Sequence, residues 1–218
     1  MSIWIIICSS LESEPVRNPE SECMDDATEE REWEKWNRRY VEGTHGSLAP
    51  DSLLIDAFDR YIEPLFPNAG CALDIAGGMG RHAIFLAAKG WKVRLTDIAE
   101  AGIANARKNA GSFASQIEFS VEDLTRFEGS RTSYDVIMVF FFVRREMFGE
   151  VVKALNSGGL LIYKGYTREQ AKFGGGPTNP DYLFGENELL HAFRELRVLH
   201  YAELVRDCGQ AEFVGRKA

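Results

Sequence analysis

The sequence predicts an α/β fold, a Rossmann-like seven-stranded sheet closed by an antiparallel C-terminal hairpin. Three observations carry that prediction. Short apolar runs alternate with helical patterns between residues 71 and 164, the order of successive βαβ units. The first run, Cys71–Ile75, empties into a glycine-rich elbow, Gly77-Gly78-Met79-Gly80, that leads straight into a helix. The last two runs, Arg197–Leu204 and Ala211–Gly215, are joined at Asp207-Cys208-Gly209, a connection too short for a parallel crossover.

The elements follow in order. Residues 29–41 place Trp33, Trp36, Tyr40 and Val41 at helical spacing, and the aromatics read as a packed helix face or as an active-site lid. Asp51 is suited to cap a second helix through Leu53, Leu54, Phe58 and Ile62, which Pro64 and Pro67 are expected to end. Strand one (Cys71–Ile75) precedes a helix over Arg81–Lys89, and strand two (Lys92–Thr96) a helix over Ala99–Ala110. Strand three spans Gln116–Val121. Strand four, Tyr134–Phe142, is almost wholly apolar, as a strand covered on both faces should be. A helix over Arg145–Leu155 turns through Asn156-Ser157-Gly158-Gly159 into strand five, Leu160–Lys164. A loop rich in glycine and proline, Tyr166–Phe184, and a short helix, Glu186–Phe193, precede the hairpin.

Size and charge narrow the function. A chain of 218 residues with 45% hydrophobic content builds one α/β core and no second substrate domain. The net charge of −8 disfavours broad binding to nucleic acid or an anionic membrane. Four cysteines without C-x-x-C spacing read as reduced, cytoplasmic usage, with neither a disulfide frame nor a metal site. Residues 1–28, with a short apolar run and an acidic, turn-rich stretch, read as a disordered N-terminal extension, and residues 29–218 as a single domain. Oligomeric state has no signature in the sequence.

The elbow signals a nucleotide-like cofactor, since glycines admit close approach and the helix start offers free N–H groups. Two cofactors compete for it. Gly78 to Ala83 fits the loose dinucleotide pattern G-x-G-x-x-A, with Asp97 as the ribose acid. Asp74, however, stands just ahead of the elbow, where a carboxylate repels a diphosphate and suits a ligand with a cationic end. This favours S-adenosylmethionine over a nicotinamide dinucleotide.

Residues 33–217 resemble the class I S-adenosylmethionine-dependent methyltransferases, and are similar within them to the small bacterial tellurite-resistance-like enzymes. The family's D-x-G-x-G-x-G motif is matched by Asp74-Ile75-Ala76-Gly77-Gly78-Met79-Gly80, with Ala76 in place of the first glycine. Arg81 continues the pattern. The resemblance implies that Asp97 takes the ribose hydroxyls and Ile98 lines the adenine slot. It implies that Asp123, beside Leu124, accepts from the adenine amino group, and that Phe140 and its neighbour Phe141 floor the sulfonium. Asp97 also reads as a helix cap and Asp123 as a turn residue. The resemblance departs between the last two strands. There the tellurite enzymes carry a longer connection with basic residues, and this chain has only Val205–Gln210.

The acceptor is less legible, because an in-line displacement on an activated methyl donor needs positioning more than a fixed catalytic group. Substrate-pocket candidates are Arg144 and Arg145 after strand four, His45 between the first helices, and Tyr166 at the start of the glycine-rich loop, a possible substrate cover. Asn179-Pro180-Asp181-Tyr182 resembles the N-P-P-Y signature of amino-group methylation but follows strand five instead of strand four, and reads as a turn. A soft sulfur, selenium or tellurium nucleophile and a small anionic metabolite stay open as acceptors. A nicotinamide-dependent oxidoreductase and a non-catalytic cofactor-binding module stay open as alternatives.

Overall fold

The computed structural model describes residues 31–43, 47–129 and 133–218, and the region Glu32–Ala218 forms one unit. The N-terminal extension and His45 lie outside the described residues. Helix α1 (Glu32–Val41) is followed by α2 (Ser52–Ala57), a wider π turn (Phe58–Ile62) and α3 (Glu63–Leu65). Five strands with three intervening helices come next: β1 (Cys71–Ile75), α4 (Arg81–Ala88), β2 (Lys92–Asp97), α5 (Glu100–Ala110), β3 (Ile117–Val121), β4 (Tyr134–Phe140), α6 (Phe148–Ala154) and β5 (Leu155–Tyr166). The chain ends with α7 (Glu188–Ala192) and the hairpin β6 (Arg197–Leu204) and β7 (Gln210–Arg216).

The sheet order is β3-β2-β1-β4-β5-β7-β6, with β7 antiparallel to both β5 and β6 and the first five strands parallel. The order reverses between β1 and β4, the switch point where open α/β sheets hold their ligands. Strand β4 shows how the sequence builds the two layers. Its Val136 and Met138 face one apolar cluster with Leu54, Ile62, Leu86 and Leu95. Its Ile137 and Val139 face the other, with Leu73, Ile75, Val151, Tyr163 and Phe213. Alternation with both faces apolar is what a strand buried on two sides requires. No helix among the described residues is long and apolar enough to cross a membrane.

Several boundaries depart from the sequence-based expectation, three of them for identifiable physical reasons. Pro64 does not end the second helix: the helical path runs on to Leu65 through the π turn, in which the Glu63 N–H bonds back to the Phe58 carbonyl. Proline carries no N–H and its ring clashes with the carbonyl four residues earlier, and a widened turn relieves both. Strand β4 stops at Phe140, since Phe141 takes a left-handed conformation with φ 58°. Strand β5 starts at Leu155, because Leu155 pairs with Tyr134 across a register shift before regular pairing resumes at Val136 and Leu160.

Candidate functional site

Asp74, near the carboxyl end of β1, is 1% exposed and organises the elbow beyond it. Its Oδ2 accepts from the Ala83 N–H at 3.1 Å and so caps α4 from the strand, Gly80 at the cap position having no side chain. Its Oδ1 is buried with no partner. Burial pushes the Asp74 carboxyl up to about 7, against the pull of the Ala83 N–H and the Arg81 charge, with Asp97 adding to the rise.

Asp97, at the end of β2, holds the elbow from the other side. One oxygen accepts from Gly78 N–H and the other from Ala99 N–H, both at 2.8 Å. Burial raises its carboxyl, and the N–H groups of Ala99, Gly78 and Ile98 oppose the rise. Ala76, standing where the family motif has glycine, sits at φ 54°, a conformation that costs a residue with a Cβ about 1–2 kcal/mol. Gly78, at φ 55°, meets the other limit: a Cβ there would lie 2.3 Å from the Tyr40 hydroxyl.

These groups line a cleft of about 920 Å³ along the carboxyl edge of the sheet, near the upper end of the range usual for ligand sites. Asp74, Ala76, Gly77, Gly78, Arg81, Asp97, Ile98, Asp123, Leu124 and Phe140 all line it, as do Arg144 and Tyr166. Gly80 does not; its role is packing, a Cβ there meeting Ala106 at 3.0 Å. Asp123 also accepts from Thr125 N–H at 2.9 Å, the turn role that its position allowed.

Arg145 stands apart from the lining. Its guanidinium donates to Glu188 and to the carbonyls of Asp181 and Leu183, tying the 166–184 loop to α7. Among the described residues Arg144 keeps a single ion-pair contact, with the exposed Glu146 at 3.9 Å. His191 and His200 lie away from the cleft, His200 beside Glu212 at 3.3 Å.

Sequence reading passed over one part of the wall and left a second, helix α1, open between a packed face and a lid. His82, in the first turn of α4, lines the cleft with its ring 3.9 Å from that of Phe140 and its Nε2 buried without a partner. Burial, with the charges of Arg81 and Lys164, pushes its imidazole down to about 2, so it is neutral at physiological pH. The second part is the roof. Helix α1 contributes Glu32, Lys35, Trp36 and Arg39, and the Tyr182 hydroxyl, from the tetrapeptide read as a turn, donates to Glu32 at 2.6 Å. The aromatic periodicity of α1 was the available signal for the roof. Nothing local marked His82, because a buried histidine is more often core than lining.

An open α/β sheet in this order, with carboxylates on either side of a glycine elbow at its switch point, defines a class I methyltransferase fold. Residues 72–159 match the family model described as a methyltransferase domain. The Bacillus subtilis (strain 168) protein YqeM, named as a methyltransferase, is 26% identical over 117 residues, 50% of this chain and 47% of that one. The chain thus spans about half the length of the curated relative it matches. Among solved structures, TehB from Haemophilus influenzae superposes with a TM-score of 0.65 at 19% identity, covering 84% of this chain and 67% of that one. The N-methyltransferase NodS from Bradyrhizobium japonicum WM9, in complex with S-adenosyl-L-homocysteine, superposes with a TM-score of 0.64 at 15% identity, over 85% and 97%. At such identities these likenesses establish the fold.

The unpartnered Asp74 oxygen is an acceptor awaiting a donor or a positive charge, and the elbow leaves backbone where a Cβ would obstruct. No group of histidine, cysteine and carboxylate side chains among the described residues is placed to hold a metal ion.

Proposed function

We propose that the protein transfers a methyl group from S-adenosylmethionine to a small-molecule acceptor. The observation that carries this reading is the buried, half-satisfied Asp74 carboxylate beside Asp97 at the mouth of the elbow. Two carboxylates there favour a cationic ligand and oppose the diphosphate of a nicotinamide dinucleotide.

Asp74, Asp97, Asp123 and the elbow would hold the donor, which supplies a methyl group already activated by the positive sulfur. The chain's remaining work is to orient the acceptor and keep water out, for which Phe140, the neutral His82 and the α1 roof are placed.

Calorimetry tests the reading. S-adenosylmethionine should bind at micromolar concentration, and D97A should weaken it about tenfold or more, since it strips the elbow of one buried acceptor. Binding of NAD in its place, or indifference to D97A, would overturn it. Release of S-adenosylhomocysteine with any small acceptor separates an enzyme from a non-catalytic cofactor-binding module.

A further inference from the structure

We infer that the acceptor is a small molecule with a flat aromatic body and a carboxylate, held over the ends of β4 and β5. The inference rests on the methyltransferase reading and adds the substrate class. Its basis is the unequal division of the cleft. Over the β1–β3 half stand Asp74, Asp97 and Asp123, each at or just beyond a strand end. Over the β4–β5 half stand Phe141, Arg144 and Tyr166. A cationic donor belongs to the first half, which leaves the second for a partner of opposite character.

The second half is built as a platform. Phe141, a bulky residue at φ 58°, is held in a conformation that such residues seldom adopt. Its N–H donates to the Lys164 carbonyl at 2.7 Å, and the next carbonyl, of Phe142, accepts from the buried Tyr163 hydroxyl at 2.7 Å. The held ring lies 4.9 Å from that of Tyr166, tilted by 41°, and both line the cleft. Strain kept in place by two hydrogen bonds, and spent on presenting an aromatic face to a cavity, points to a ligand with a face to match.

The charge comes from Arg144. A guanidinium offers five N–H donors in a planar fork that matches a carboxylate. Arg145 uses its fork on Glu188 and two carbonyls, whereas Arg144, one residue earlier, makes one 3.9 Å contact among the described residues, with an exposed glutamate. The fork is therefore available within the cleft, three residues beyond the strained phenylalanine.

The test is calorimetry on the full chain saturated with S-adenosylhomocysteine, titrated with benzoate, benzamide and acetate. Benzoate should bind, with benzamide and acetate each weaker by about tenfold or more, one lacking the charge and the other the ring. R144Q should weaken benzoate about tenfold or more, with S-adenosylhomocysteine binding retained as evidence of the intact fold. Equal binding of benzamide, no binding of benzoate, indifference to R144Q, or displacement of S-adenosylhomocysteine by benzoate would each overturn the inference. Failure of the wild-type chain to bind S-adenosylhomocysteine at all would instead overturn the methyltransferase reading.

Discussion

Asp74 and His82 both face the cleft and carry opposite proton debts. The Asp74 carboxyl, raised from 3.8 to about 7, keeps in the folded chain a proton that the unfolded chain loses above 3.8. Its contribution to stability therefore falls as pH rises through that window. His82, lowered from 6.5 to about 2, stays neutral when folded, while the unfolded chain takes up a proton below 6.5. Its contribution falls as pH drops, so the two opposing slopes largely cancel between roughly pH 4 and 6.5. Ligand binding separates them. A cationic ligand requires the ionised Asp74, so the affinity for S-adenosylmethionine should fall below pH 7 by up to about tenfold per pH unit. Calorimetry across pH 5–8 reads this directly, and D74N should flatten the profile.

Helix α1 docks on α5 through Asn37, whose side-chain oxygen accepts from Ala101 N–H at 2.8 Å, and through Tyr40, wedged between two glycines. A Cβ on Gly102 would come within 3.0 Å of the Tyr40 ring, and the ring cannot retreat because its hydroxyl end lies against Gly78. Glycine to alanine within a helix ordinarily gains about 1 kcal/mol. Here overpacking outweighs that gain, and G102A should lower stability by about 1 kcal/mol in urea denaturation and weaken cofactor binding.

At this scale the alternation of strands and helices was legible from local pattern, and so were the elbow and the hairpin. The π turn was not, because a proline announces a missing N–H without saying whether the helix stops or widens. The start of β5 was not, since Asn156–Gly159 has turn chemistry and only its pairing with Tyr134 draws Leu155 into the sheet. The site divides likewise. The residues around the elbow were readable because their chemistry is local. Arg144 and Arg145 are indistinguishable by sequence, and what separates them is Glu188, 43 positions away from Arg145.

Across the whole molecule, Lys164 joins widely separated parts of the chain. Its ammonium reaches Asp51, ahead of α2, at 3.0 Å and Glu212, on β7, at 2.9 Å, and it is 7% exposed. Burial opposes its charge, but the hydrogen bonds to Glu212 and Asp51 outweigh burial and hold its pKa above the ordinary value. Removing the cation leaves two enclosed carboxylates facing each other. K164M should cost about 3 kcal/mol in urea denaturation, and adding E212Q should recover part of the loss.

The position of β7 has a consequence for how the molecule comes into being. It lies between β5 and β6, so residues 210–216 form an interior strand although they follow every other strand of the sheet in chain order. During synthesis at about 5–20 residues per second, the exposed edge of β5 waits for a partner until those residues leave the ribosome. Completion of the domain is thus a late event, and a nascent chain stalled before residue 210 should remain open to proteases that the finished protein resists.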